Sequence, residues 1–180
     1  KIFLFDDYLS SGNVIEESHL SNYDIFILPP NLNFDDSMKF DFFINARSMM
    51  EMDSGTISDY FNFIHKYSHE ESFFLNVNRY EKITVGERIC LSDYPYDKHW
   101  NTKISVPAFK QDHIHLLLTQ RSSETGDIKE ELKKIDELGK QFYEKKFSFS
   151  KLKFSIQKII LSIFGRRFLE KIIKLKRKFF

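Results

Sequence analysis

The sequence contains few glycines, and their spacing excludes two common nucleotide-binding motifs. The chain of 180 residues has six glycines, and no two of them lie within ten residues of each other. A G-x-G-x-x-G turn or a P-loop needs at least two glycines within a few positions, so neither motif is present. If these residues form a nucleotide-type α/β fold, its phosphate-cradling first turn is not among them.

Cysteines and long apolar segments are also scarce. Cys90 is the single cysteine, which excludes an internal disulfide and a cysteine-rich zinc site. No apolar run approaches the roughly 18 residues that span a bilayer, and no signal-peptide pattern is present. We therefore expect a cytoplasmic protein. Because the first residue is Lys1 and not Met, we also expect the sequence to be incomplete at its N-terminus.

The near-zero net charge of +1 conceals an uneven distribution of charge along the chain. Residues 151–180 hold ten Lys or Arg and a single acid, Glu170, which gives them a charge of +9. Residues 1–150 hold the other 17 bases and 25 acids, which gives them a charge of −8. With 42% hydrophobic residues the composition is globular, so the sequence describes an acidic folded body with a basic tail.

Short apolar runs predict strands. These runs are residues 1–5, 24–28, 40–45, 72–77 and 114–119. They are continuous instead of alternating, which favours strands that are covered on both faces, as in a parallel α/β sheet. Residues 78–100 are polar and aromatic and predict a long loop with a small hairpin around residues 83–89.

One amphipathic helix lies between the third and fourth predicted strands. Asp53 or Ser54 can cap it, and Ile57, Phe61 and Ile64 recur at helical spacing. The segment from residue 40 to residue 77 therefore predicts a strand–helix–strand unit with parallel strands.

The sequence changes character near Ser122, where we place the boundary between an α/β part, residues 1–121, and a helical extension, residues 122–180. Apolar residues recur at helical spacing in residues 128–142 and again in residues 152–179. The second stretch belongs to the basic tail, residues 151–180.

Ligands of open α/β sheets bind at the carboxyl ends of the strands, so polar residues after the predicted strands are the first candidates. Asn45, Arg47, Ser48 and Glu51 follow the third strand, and Asn78 and Arg79 follow the fourth. An arginine there can bind a carboxylate or phosphate through two hydrogen bonds. Polar residues are also common in ordinary turns at strand ends, and that alternative stays open.

A second polar and aromatic group lies in the loop before residue 100. Asp93 and Asp97 could act in acid–base chemistry, and the rings of Tyr94, Tyr96 and Trp100 suit stacking on a sugar. The alternative is a surface loop anchored by its aromatic residues. No His or carboxylate spacing typical of a metal site is present, so we predict no metal.

The segment Phe40-Asp-Phe-Phe-Ile-Asn-Ala-Arg-Ser-Met-Met-Glu-Met52, followed by residues 57–61 and by Phe73-Phe-Leu-Asn-Val-Asn-Arg79, resembles the bacterial putative sugar O-methyltransferase family. Asn45, Ser48, Glu51 and Met52 match its signature, whereas Ala46 and Arg47 depart from it. The resemblance covers residues 1–121. It implies a partial Rossmann-like class I methyltransferase sheet, mostly parallel with an antiparallel final strand, followed by an α-helical C-terminal tail.

The resemblance also implies a function. The expected activity is S-adenosylmethionine-dependent methyl transfer to a hydroxyl of a sugar or glycoconjugate acceptor. The glycine-rich turn and the acidic strand that bind the cofactor in this family lie upstream of the matching segment, so we expect this chain alone to bind the cofactor weakly or not at all.

Site roles follow from the resemblance together with the residue chemistry. The candidates for the general base are Glu51, Asp93 and Asp97. The candidates for cofactor contacts are Asn45, Ser48 and Pro29. The candidates for acceptor contacts are Arg47, Asn78, Arg79, Tyr94, Tyr96 and Trp100.

The basic tail, residues 151–180, has three interpretations: a helix that packs on the domain or on a second copy, a helix that lies on an anionic membrane at the inner face, or a nucleic-acid contact. Nothing in the body supports nucleic acid, and we expect none. The alternative function for the whole chain is non-catalytic, as a remnant or an interaction module with a membrane- or partner-binding basic helix. A glycosyltransferase is a weaker third possibility, because its D-x-D motif is absent.

Overall fold

The computed structural model describes residues 1–27, 34–83, 86–108, 113–147 and 158. These residues form a mixed α/β fold built on a four-stranded sheet, with a helix near the C-terminal end of the described chain. The predicted α/β class is therefore confirmed. The predicted Pro29 contact and nearly all of the basic tail lie outside the described residues.

The sheet consists of β3 (Phe40–Ala46), β4 (Ser68–Arg79), β7 (Trp100–Pro107) and β8 (Ile114–Arg121), in the order β3-β4-β8-β7. β3 and β4 are parallel, and β8 is antiparallel to both β4 and β7. Three strands of this sheet therefore run in one direction, and β8, the last of the four in sequence, runs against them.

The strand–helix–strand unit that the sequence predicts is present. Helix α3 (Ser54–Tyr67) connects the parallel neighbours β3 and β4, and Asp53 caps it by accepting a hydrogen bond of 2.7 Å from the Thr56 N–H. Ile57, Phe61 and Ile64 are buried against the sheet in the core. Burying a side chain of this size stabilises the fold by about 1.5–3 kcal/mol, so packing of this face accounts for most of the helix's stability.

Between β4 and β8 the chain contains the short hairpin that the sequence predicts and a strand that it does not predict. The hairpin pairs β5 (Glu81–Lys82) with β6 (Ile89–Cys90), close to its predicted position. Strand β7 (Trp100–Pro107) begins at the last residue of the predicted loop and covers residues for which the sequence predicts no strand. It lies at the edge of the sheet and alternates apolar and polar residues only weakly, so it carries no strong sequence signal.

The N-terminal segment differs from its prediction. Strand β1 covers only Ile2–Phe3 and pairs with the equally short β2 (Ile25–Phe26). The chain then enters helix α1 (Phe5–Ser10), and helix α2 (Glu17–Asn22) follows. The Asp7 carboxylate accepts a hydrogen bond of 2.8 Å from the Leu4 N–H, which favours a helix start where the apolar run predicts strand.

A helix α4, described over residues 128–147, packs on the same core as α3. Ile128, Leu132 and Ile135 are buried, and the next buried position on this face is Gly139, whereas Leu138 is 40% exposed. A Cβ at Gly139 would lie 3.0 Å from Tyr80 Cβ, so the glycine lets the helix approach the sheet closely. No described helix is long and apolar enough to cross a membrane.

The described residues cover only one face of the sheet, whereas the apolar runs predict strands that are covered on both faces. On the face opposite α3, Ile44 is 64% exposed and Phe42 is 49% exposed on β3, and Ile104 and Val106 are similarly exposed on β7. The paired residues Leu75 and Leu118 lie between them on β4 and β8. The described residues therefore leave an uncovered apolar sheet face, which we define by Phe42, Ile44, Ile104 and Val106.

Candidate functional site

The polar residues after β3 and β4 lie together, because parallel neighbours end at the same edge of a sheet. The chain leaves β3 through Arg47, whose φ of 64° is left-handed and uncommon for a residue with a side chain. The Arg47 N–H donates to the Val77 carbonyl at 2.8 Å, and a 3₁₀ turn, Met49–Glu51, follows. This carboxyl edge is the place where open α/β sheets bind ligands.

Three buried asparagines on β3 and β4 form one hydrogen-bond network beneath the 3₁₀ turn. Asn45 Oδ1 accepts from Asn78 Nδ2 at 3.0 Å and from the Met49 N–H at 3.2 Å. Asn78 Oδ1 accepts from the Met50 N–H at 3.1 Å, and Asn78 Nδ2 also donates to Asn76 Oδ1. The two amide oxygens thus hold the start of the turn on the sheet.

The hydrogen bonds of this network occupy the side chains that are predicted to contact the cofactor. Asn45 Nδ2 donates to Ser48 Oγ at 2.6 Å, so both ends of the Asn45 amide are used inside the protein. Asn78, a candidate acceptor contact, is fully buried and is likewise engaged internally. These residues position the turn, and the structure does not present their amide groups to a ligand. Asn76, at the end of the fourth predicted strand but not among the residues given a site role, completes the network.

Four accessible side chains lie at the carboxyl ends of β3 and β4, and we call them the rim: Arg47, Ser48, Glu51 and Arg79. Glu51 is 56% exposed, and its Oε1 lies 4.0 Å from Nη2 of Arg79, which is 34% exposed. Arg47 and Ser48 are also exposed. An accessible carboxylate beside a guanidinium can accept a proton from a bound hydroxyl while the arginine holds an anionic group. The structure brings together Glu51, Arg79, Arg47 and Ser48 from the predicted set.

The three aromatic candidates are part of the hydrophobic core. Trp100 is fully buried, and Tyr94 and Tyr96 are 5% and 7% exposed. The ring centroids of Tyr96 and Phe61 lie 4.7 Å apart in an edge-to-face contact, and burial raises the pKa of both tyrosines. No ring face is open to a sugar, so the structure does not support the predicted stacking role. These rings anchor the loop that precedes β7, in agreement with the alternative interpretation.

The two loop aspartates each form local contacts within the protein. Asp93 Oδ2 accepts from the Cys90 N–H at 2.7 Å and closes its own turn. Asp97 lies just before the start of β7, and β7 runs in the same direction as β3. Asp97 is therefore at the opposite end of the strands from the residues that follow the end of β3. Asp97 is therefore not placed to act together with Glu51, and the Asp93 carboxylate is engaged in its own turn.

At this end of the strands, Asp97 forms an ion pair with Arg121. Its Oδ2 lies 2.9 Å from Arg121 Nη2 and 3.9 Å from His65 Nε2. Burial alone raises the pKa of Asp97, but hydrogen bonds from the His99 N–H and from Arg121 outweigh it and hold the pKa below its usual value. The pair joins the loop to the end of β8, which is a structural role.

His115 on β8 is a buried titratable group next to the asparagine network. Its ring nitrogens lie 2.8 Å from Ser105 Oγ and 3.1 Å from Tyr80 Oη, and burial lowers its pKa from 6.5 to about 4. His115 is therefore neutral in the folded protein at pH values where it is protonated in the unfolded chain.

We expect this difference to make stability pH-dependent. Between pH 6.5 and about 4 the unfolded chain binds the extra proton, so the free energy of unfolding falls as the pH is lowered through this window, by at most about 3 kcal/mol. Urea unfolding followed across this window measures the effect. The variant His115→Gln, which keeps a donor and an acceptor, should show a shallower pH dependence, and an unchanged slope would contradict the assignment to His115.

No group of three or more His, Cys, Asp or Glu side chains is close enough to hold a metal ion within the described ranges. No protein-family model, curated protein or solved structure matches the chain.

Proposed function

We propose that this protein is an S-adenosylmethionine-dependent O-methyltransferase that acts on a sugar hydroxyl of a glycoconjugate. The observation that carries the proposal is the rim at the carboxyl ends of β3 and β4, where Glu51, on a turn held by buried asparagines, lies 4.0 Å from Arg79 at the end of β4. The segments that resemble the sugar O-methyltransferase family thus contain both the buried asparagines that hold the turn and the exposed residues of the rim. A final strand that runs against the others is also what this resemblance implies.

The described residues do not form a cofactor cradle by themselves. The glycine spacing excludes a glycine-rich turn, and the Asn45 amide is engaged internally. We therefore assign these residues to the acceptor side of the site. Isothermal titration of the 180-residue chain with S-adenosylmethionine should show no micromolar binding, and micromolar affinity would overturn this assignment.

On the acceptor side, Glu51 is the candidate general base and Arg79 the candidate anion contact. The Glu51 carboxylate is accessible and accepts the proton that leaves the sugar hydroxyl. The Arg79 guanidinium holds an anionic group of the acceptor next to that hydroxyl, which fixes the orientation of the sugar.

The test of the proposal is a methyl-transfer assay on the protein as its gene encodes it. With labelled S-adenosylmethionine and a panel of hexoses, sugar phosphates and nucleotide sugars, we expect label in a sugar product. Glu51→Gln should lower kcat about 100-fold, because the base is lost. Glu137→Gln, an exposed change on α4, should leave kcat unchanged. Turnover by Glu51→Gln at the original rate would remove Glu51 as the base.

The second candidate is a non-catalytic interaction module, and the uncovered apolar sheet face favours it. Exposed apolar side chains on two strands of one sheet face are unusual for a surface without a partner. Absence of methyl transfer to every acceptor, together with an unchanged fold in Glu51→Gln, would favour this candidate over the enzyme.

We also propose that the basic tail, residues 151–180, brings the protein to the inner face of an anionic membrane. Its charge of +9 and its repeated apolar positions support this location. Co-sedimentation with phosphatidylserine vesicles should fall to background when residues 151–180 are deleted, and equal recovery with neutral vesicles would contradict the proposal.

A further inference from the structure

A cleft lies beside the proposed rim and is lined mainly by basic side chains. Its volume is about 340 Å³, which is within the range of small-molecule sites. The lining residues come from the end of β4, from the β5–β6 hairpin, from the residue before β8 and from α4; they are Arg79, Glu81, Lys82, Ile83, His113, Tyr143 and Lys146. The cleft is therefore built by four separate parts of the fold.

The charge of this lining is opposite to the charge of the body around it. Arg79, Lys82 and Lys146 contribute three positive charges, and the single carboxylate, Glu81, is already paired with Arg88 at 2.9 Å. Residues 1–150 as a whole carry −8. A positive cleft in an acidic body attracts a small anion more strongly than it attracts a large acidic partner.

Lys82 is the most unusual member of the lining because it is only 4% exposed. Its Nζ donates to the Met49 carbonyl at 3.1 Å, and among the described residues no carboxylate lies within 4.0 Å of it. Burial lowers the pKa of Lys82, against the weaker opposite influence of Glu51 and Glu87. A buried ammonium with one neutral acceptor has donors left for an anionic ligand.

Arg79 connects the cleft to the rim. Its Nε is buried and has no hydrogen-bond partner, while its Nη2 faces Glu51 at 4.0 Å. The Met49 carbonyl that Lys82 contacts belongs to the same 3₁₀ turn as Glu51. An anion in the cleft would therefore lie next to the carboxylate proposed as the base.

We propose that this cleft binds a phosphoryl group of the acceptor, with Arg79, Lys82 and Lys146 as its cationic contacts. Three cations and one neutralised carboxylate match a phosphate dianion better than a single carboxylate, and a guanidinium can bind two phosphate oxygens at once. The acceptor class is then a sugar phosphate or nucleotide sugar. The anion site rests on the cleft alone, whereas its use for an acceptor rests on the proposed function.

The test is isothermal titration of the 180-residue chain with glucose 1-phosphate, inorganic phosphate, glucuronate and glucose, in the absence of any methyl donor. We expect both phosphates to bind and glucose not to bind. Arg79→Gln and Lys146→Gln should each weaken the binding of glucose 1-phosphate about tenfold, because each removes one charged hydrogen bond. Lys103→Gln, an exposed change of equal charge on β7, should leave it unchanged.

Three outcomes would overturn the proposal. The first is no binding of either phosphate at millimolar concentration, and the second is that Lys103→Gln weakens the binding of glucose 1-phosphate as much as Arg79→Gln or Lys146→Gln does. The third is that glucuronate binds more tightly than glucose 1-phosphate. Arg79→Gln and Lys146→Gln change partly or fully exposed side chains, so circular dichroism should show an intact fold in both. Because the titration needs no methyl donor, failure of the anion site is distinguishable from failure of the methyltransferase proposal.

Discussion

Replacing Gly126 by alanine is expected to destabilise the protein by roughly 4 kcal/mol or more, which approaches the whole stability of many domains. A Cβ at this position would lie 2.0 Å from the carbonyl oxygen of Trp100 and 2.5 Å from its carbonyl carbon. The Gly126 N–H also donates to the Lys98 carbonyl at 2.7 Å, which fixes the segment before α4 against the start of β7. Backbone atoms cannot move aside without breaking this contact.

Urea unfolding of Gly126→Ala, or loss of soluble protein, measures the effect. Gly12→Ala is the matched control, because Gly12 has a φ of +81° but no atom lies within 4 Å of the position that an alanine Cβ would occupy there. The control should cost only about 1–2 kcal/mol, from the left-handed backbone. Gly126 does not have a left-handed φ, so equal losses in the two variants would show that the contact with Trp100 does not determine the requirement at Gly126.

Asn78→Ala is expected to lower the free energy of unfolding by about 3 kcal/mol. The change leaves the Met50 N–H without its acceptor and removes the amide donor that joins Asn78 to Asn45 and Asn76. Because the network holds the turn that carries Glu51, we also expect the rim to lose its fixed geometry and the proposed methyl transfer to fall with it.

Chemical unfolding at neutral pH measures the stability loss. Asn62→Ala is the control, since Asn62 is exposed on α3 and its loss should change stability by less than about 0.5 kcal/mol. A loss below about 1 kcal/mol for Asn78→Ala would indicate that the turn is held by other contacts.

The central strands and α3 can be predicted from the sequence because local signals agree there. Apolar runs mark β3, β4 and β8, and an Asp cap with helical apolar spacing marks α3. The predicted N-terminal strand is too long, since Asp7 starts a helix within the apolar run. Strand β7 escapes prediction because an edge strand needs no continuous apolar pattern.

The candidate site can be predicted only in part. Residues after β3 and β4 are expected to meet, and Glu51 and Arg79 do so. A sequence does not reveal that the Asn45 amide is directed inward or that Trp100 is in the core, because either residue type also suits a surface site. Lys82 carries no signal at all, since a single lysine in a polar segment is ordinarily exposed.

The position of β8 has a consequence for how the sheet is assembled during synthesis. β8 is the last strand of this sheet to leave the ribosome, yet it lies between β4 and β7, which are made earlier. The pairing of Phe73 with Gln120 joins distant parts of the chain, and such contacts form slowly. Until residue 121 has been synthesised, the inner edges of β4 and β7 have no partner, so the nascent chain passes through a stage at which strand addition by another chain competes with its own completion.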